Sequence, residues 1–210
     1  MTHVVLLGDS IFDNAAYVGG GPPVIQQLRS KLPPGWQATL LAVDGSVTRD
    51  VHRQLDKLPP DAGGLIVSAG GNNALGHVNI LSESARSAAE VLARLAEIGE
   101  QFRQSYREML RAVLAFKLPS AVCTVYYPNF PDPTLQRIAR AALTVFNDVI
   151  ICEAFEAGVP LIDLRLVCSE AVDYANAIEP SVAGGEKIAG AILRLFDEHD
   201  FGRGRTEVFI

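Results

Sequence analysis

Positive charge is in short supply: 18 lysines and arginines stand against 24 aspartates and glutamates, a formal net charge of -6. A phosphate backbone is held by a basic stripe or patch, which the chain does not show, so nucleic acid is excluded as an expected partner. Long apolar runs are also missing. No stretch approaches the roughly 18 uninterrupted apolar residues of a membrane span, and the longest helical pattern carries Arg137, Arg140, Asn147 and Asp148. Cysteine is scarce: Cys123, Cys152 and Cys168 lie far apart among apolar neighbours with no C-x-x-C spacing. That pattern predicts buried thiols in a reducing compartment. No basic leader or small-residue cleavage site accompanies the first apolar run, so the expected location is cytoplasmic. Gly19-Gly20-Gly21-Pro22-Pro23 lacks the Lys-Ser/Thr of a phosphate cradle and follows no strand directly. It reads as a loop beside Tyr17, and no cofactor is expected.

What is present is apolar sequence in short, regular blocks. Hydrophobic residues make up 49% of 210 residues and charged ones 20%, the balance of a globular protein able to hide about 70% of its unfolded surface. One domain, 1–210, is expected. Strand-like runs at His3–Gly8, Ala38–Val43, Gly64–Ala69, Ala121–Tyr126 and Val159–Leu164 alternate with helical spacing such as Phe102, Tyr106, Met109, Leu110 and Val113. The β-α-β-α order predicts an α/β fold, a parallel five-stranded sheet with helices on both faces. Pro22-Pro23 and Pro133-Thr134 open helices, and Pro33-Pro34-Gly35 and Gly158 close them. The alanine-rich stretch 75–99 is either an ordinary crossover helix or a helical cap over a binding cleft. The tail, 200–210, packs on the domain or makes an oligomer contact. Trp36 reads as packing, and Arg29, Arg49 and Arg53 as solvated helix faces.

Ser10 follows the first strand in Leu7-Gly8-Asp9-Ser10. In an open parallel sheet, ligands bind outside the strand carboxyl ends. Asp44-Gly45-Ser46 follows the second strand and Gly70-Gly71-Asn72-Asn73 the third. Three strand ends thus deliver small residues and amide donors to one rim, as an oxyanion hole requires. Asp9, Gly71, Asn73 and His77 share that rim as candidate substrate contacts. Gly8-Asp9-Ser10, Gly45 and Gly70-x-Asn72, in order and at these intervals, resemble the first three blocks of the SGNH (GDSL) hydrolase family, over nearly the whole chain. The resemblance implies a flavodoxin-like three-layer fold, Ser10 as nucleophile, and an oxyanion held by the Ser10 and Gly45 N–H groups and the Asn72 amide. The implied substrate is a small-molecule ester.

The last block departs from that family. Where Asp-x-x-His is usual, the chain reads Asn176-Ala177-Ile178-Glu179-Pro180-Ser181. His3, His52, His77 and His199 all lie elsewhere. Three accounts fit. In the first, Glu179 is the general base and Asn176 donates an amide hydrogen bond to it, since a second carboxylate would repel. A reference Glu pKa of about 4.3 against about 6.5 for His makes a base weaker by roughly two units. Burial would recover some of this, while the Asn176 bond and the following helix N-terminus would oppose it. Slow esterase activity is the expectation. In the second account His77 is the base and Glu179 orients it. In the third the scaffold is catalytically silent and binds a ligand or partner. Nothing in the spacing of Asp9, Asn72 and Glu179 demands a hard cation, so no metal is expected.

Overall fold

A computed structural model describes residues 2–210. Six strands form one all-parallel sheet: β1 (His3–Gly8), β2 (Gln37–Leu40), β3 (Gly64–Ser68), β4 (Ser120–Cys123), β5 (Leu161–Ile162) and β6 (Val208–Phe209), in the order β2-β1-β3-β4-β5-β6. The first five strands run in the flavodoxin-like order, so the direction of winding reverses at the junction of β1 and β3. Val4 faces Gly64 and Gly8 faces Ser68 across that junction.

The apolar alternation of the strands sorts the helices into two layers. Val4, Leu6, Ile66, Ala121, Cys123 and Ile162 point to one side and pack on α1 (Val24–Lys31) and α7 (Val182–Glu198). Val5, Leu7, Leu65, Val67, Val122 and Leu161 point to the other, against α2 (Val51–Leu55), α4 (Ala88–Leu114) and α5 (Pro133–Ala157). Each helix presents its buried residues three and four apart, as with Phe102, Tyr106, Met109 and Val113 on α4 and Ile188, Ala189, Ile192 and Leu195 on α7. Local chemistry sets the helix starts. The Ser87 hydroxyl accepts from Glu90 N–H, the Asp132 carboxylate from Thr134 and Leu135 N–H, and the Ser181 hydroxyl from Gly184 N–H. Two short helices, α3 (Gly71–Leu75) and α6 (Leu164–Val167), follow β3 and β5.

Several expectations need correction. The sheet has six strands, because the tail folds back on its own domain: Leu161 N–H donates to Glu207 and Asp163 N–H to Phe209. His199 Nδ1 lies 2.7 Å from Glu207 and pins the turn that brings the tail there. The strands expected over Ala38–Val43 and Ala121–Tyr126 start one residue earlier and end sooner, since their carboxyl ends leave the ladder to form the loops of the rim, and the one expected over Val159–Leu164 is trimmed at both ends. Cys152 is only half-buried, whereas Cys123 and Cys168 are buried. The stretch 75–99 is not one helix: a 3-10 turn at Val78–Ser82 precedes α4. Among the described residues no helix is long and apolar enough to cross a membrane.

Candidate active site

Ser10 is delivered by a turn that only glycine permits. Gly8 has φ +121°, and a Cβ there would stand 1.7 Å from the Ser68 carbonyl oxygen. The close approach lets Asp9 N–H donate to that carbonyl at 3.1 Å and lifts the chain over the end of β3. Beyond the end of β2, the side chain of Gln54 on α2 takes over as a strand partner. Gly8 N–H donates to Gln54 Oε1 at 2.7 Å, and Gln54 Nε2 donates to Gly8 O at 2.8 Å and to Ser46 Oγ at 3.3 Å. One buried amide therefore ties the Ser10 turn to the loop after β2. The sequence carries a signal for it, a glutamine on the apolar stripe of Val51, Gln54 and Leu55, which sequence reasoning passed over.

Glu179 comes from the far end of the chain and meets Ser10 directly: the Ser10 hydroxyl donates to Glu179 Oε1 at 3.2 Å. Its segment is stapled at every residue around it. Tyr126 donates to Ile178 O at 2.6 Å, Asn129 N–H to Ala177 O at 2.8 Å, and the buried Asn14 amide to Pro180 O at 3.1 Å. Ala175 N–H donates to Glu179 O at 2.9 Å, closing the loop on itself. Asn14 and Tyr126 had no role in the sequence reading, because their partners are backbone carbonyls remote in the chain.

Asn176 does not do what was expected of it. Its Oδ1 accepts the backbone N–H groups of Ile178 at 2.9 Å and Glu179 at 3.0 Å, and no bond from its amide reaches the Glu179 carboxylate. A short polar side chain reaches its own backbone two and three residues on more readily than the end of a long neighbour. Asn176 thus shapes the turn and not the charge.

Burial dominates the electrostatics. Glu179 is 6% exposed, its Oε2 has no hydrogen-bond partner among the described residues, and no lysine or arginine lines the cavity in front of it. Its pKa is pushed up to about 7, by burial first, against the Ser10 hydrogen bond and with help from Asp44. Asp9 is pushed up to about 7 as well, chiefly by burial, with Glu179 adding to it and the Ile11 N–H opposing. The contrast with Asp163 is direct. Burial raises that carboxyl too, but the two-pronged Arg165 contact and the Thr124 hydroxyl outweigh it and hold the pKa below the usual range.

The remaining rim residues divide. Asn72 lines the cavity and donates one amide hydrogen to Ser46 O at 3.0 Å, leaving its second for a ligand. Gly45 sits at the exposed turn after β2 with φ +78°. Among the described residues neither the Ser10 nor the Gly45 N–H is taken by an acceptor. Asp9 and Gly71 line the cavity, whereas Asn73 turns away from it: it accepts from Thr48 N–H at 3.1 Å and donates to Thr48 Oγ1 at 3.2 Å. Asn73 therefore braces the neighbouring loop and is corrected as a substrate contact. His77 lines the cavity beside Phe146, their ring centroids 6.4 Å apart, but makes no hydrogen bond to Ser10 or Glu179. Tyr17 donates to Asp44 at 2.6 Å outside the cavity. Among the described residues no group of three or more His, Cys, Asp or Glu is placed to hold a metal ion.

Comparison with known proteins agrees with the fold. The model of the GDSL-like lipase/acylhydrolase family matches residues 6–186. A lipase/acylhydrolase from Enterococcus faecalis superposes with a TM-score of 0.68 at 18% identity, covering 97% of this chain and 97% of that one. Phospholipase A1 from Streptomyces albidoflavus NA297 gives 0.65 at 18% identity, covering 94% and 99%. An acetyl xylan esterase gives 0.61 at 13% identity, covering 91% and 98%. No curated protein matches the chain.

Proposed function

The chain belongs to the GDSL-like lipase/acylhydrolase family, and from that premise we propose that it hydrolyses carboxylic esters through an acyl-serine, with Glu179 moving the proton that an imidazole moves elsewhere. The observation that carries this reading is the contact between the Ser10 hydroxyl and a buried, cation-free carboxylate at 3.2 Å.

The chemistry balances without a histidine. Ser10 Oγ forms a bond to the ester carbonyl carbon while its proton passes to Glu179 Oε1. The carbonyl oxygen becomes an oxyanion, held by the Ser10 and Gly45 N–H groups and the Asn72 amide, and each such donor contributes about 2.7 to 4 kcal/mol to transition-state stabilisation. Collapse breaks the bond to the alcohol, which leaves with the proton from Glu179. Water then attacks the acyl-serine by the same route and Glu179 is regenerated. A carboxylate of ordinary acidity would be a poor partner. One raised to about 7 matches the working range of a general base, and the two-unit deficit expected from reference values disappears. The charge bookkeeping also explains why no aspartate is needed at position 176. A neutral imidazole becomes a cation and wants an anion behind it, while a carboxylate that takes a proton becomes neutral and wants none.

A fluorophosphonate probe tests the reading. It is expected to label the wild-type protein and not Ser10→Ala, and labelling of neither protein, or of both equally, rejects it in favour of a silent binding scaffold.

A further inference from the structure

We propose that the substrate is the ester of an unbranched, uncharged acyl chain longer than acetyl, lodged in the cavity that leads from Ser10 between α4 and α5; this rests on the acyl-serine reading above. The cavity measures about 330 Å3, at the small end of ligand pockets. Most of its polar groups lie at the reacting end, namely Asp9, Ser10, Ser68, Asn72 and Glu179, while His77 lines the cavity beside Phe146. Away from that end the lining is apolar, with Leu95 and Ile98 of α4, Leu143 and Phe146 of α5, and the exposed Leu135. Among the described residues no lysine or arginine reaches the lining, and the α4 and α5 walls offer no hydroxyl or amide. A sugar or a charged acyl group would lose its hydration there and gain no partner. An acetyl group would stop at the reacting end and leave the apolar α4 and α5 walls to water. A saturated chain covers those walls and meets no unpaired polar group. The fold does not make this choice, since both the phospholipase and the acetyl xylan esterase share it. The cavity does.

The test is the specificity constant for p-nitrophenyl esters from acetate to decanoate. Each methylene that enters the cavity is expected to raise kcat/KM about fourfold until the space is filled, after which the gain stops. Ala142→Phe, which projects a ring from α5 into the cavity, is expected to move the best chain to a shorter one, and Ala139→Leu provides the same test with a smaller intrusion. Turnover that is flat with chain length, or fastest with acetate, overturns the inference and leaves the hydrolase intact. If no ester is turned over, the hydrolase reading fails. The cavity assignment is then decided by titrating Ser10→Ala with uncharged methyl esters of the same acyl lengths, where affinity rising with length upholds it and absence of binding overturns it.

Discussion

Of the hydroxyls bonded to titratable side chains, two invite comparison because they lie toward opposite ends of the same sheet. At the amino ends, Thr39 Oγ1 of β2 lies 2.7 Å from His3 Nε2, and His3 Nδ1 lies 3.0 Å from Asp61. Hydroxyl, imidazole and carboxylate stand in the order of a proton relay. At the carboxyl ends, Ser10 has only Glu179. Yet the trio lines no part of the 330 Å3 cavity, and the carboxylate of Asp61 is 63% exposed. The Ser10 pair sits where the winding of the sheet reverses, beside unused N–H groups and an apolar wall. The residue set at the amino ends is the more complete, and the surroundings at the carboxyl ends are the better suited to the proposed reaction. In the proposed reading, location and desolvation decide which hydroxyl reacts, because a hydroxyl without a ligand cavity and oxyanion donors has nothing to attack.

The sharpest way to break that comparison is to remove the two hydroxyls in turn. Ser10→Ala is expected to lower ester turnover by at least about a thousandfold, and Thr39→Val to leave it within about twofold, as measured by initial rates. A large loss at Thr39 would invert the assignment. Next in size, Glu179→Gln keeps the shape and removes the proposed base. A loss of roughly a hundred- to ten-thousandfold in kcat/KM is expected. In the wild type, kcat/KM should fall on the acid side with a midpoint of about 7, because Glu179, as the proposed base, must be ionised to accept the proton. A midpoint in the ordinary carboxylate range would mean that burial does not govern this group.

A smaller effect separates turn from charge at position 176. Asn176→Ala removes the acceptor of two backbone N–H groups and is expected to lower kcat about tenfold by loosening Glu179, an effect of the order of one lost hydrogen bond. Asn176→Asp retains the acceptor, adds an anion beside Glu179, and should move the acid limb upward while restoring most of the rate at high pH. If both variants behave alike, Asn176 does not act through the turn. The smallest effect is on stability. The folded pKa values of Asp9 and Glu179 lie above their unfolded values. Their contribution is therefore fully present below about pH 4 and is lost as pH rises through about 7. Glu179→Gln removes its share of that loss, so melting curves should show the variant gaining a few degrees on wild type between about pH 5 and about pH 8.

Much of the architecture was legible in the chain. The alternation of Val4, Leu6 and Val5, Leu7 assigns the two faces of β1, and the spacing on α4 and α7 assigns the faces of the helices that cover them. The tail was not legible, because Val208 and Phe209 make too short a run to read as a strand without its neighbour β5. At the rim, Ser10, Gly45 and Asn72 could be named from motif order. Asn73 and Asn176 were misjudged because an amide side chain serves its own backbone or a distant carbonyl equally well, and sequence does not say which. Gln54, Asn14 and Tyr126 act on backbone groups remote in sequence and left no local pattern beyond a polar residue on an apolar stripe.

The sequence by itself determined the α/β order, the strand ends that meet at one rim, and the presence of a glutamate where an imidazole is usual, since these depend on local propensity and on the order of residues along the chain. Only the tertiary structure decided that the glutamate touches Ser10, that no cation accompanies it, and that an apolar cavity opens beside it. Those facts are set by which groups are excluded from water together, and desolvation belongs to the packed whole rather than to any segment of it.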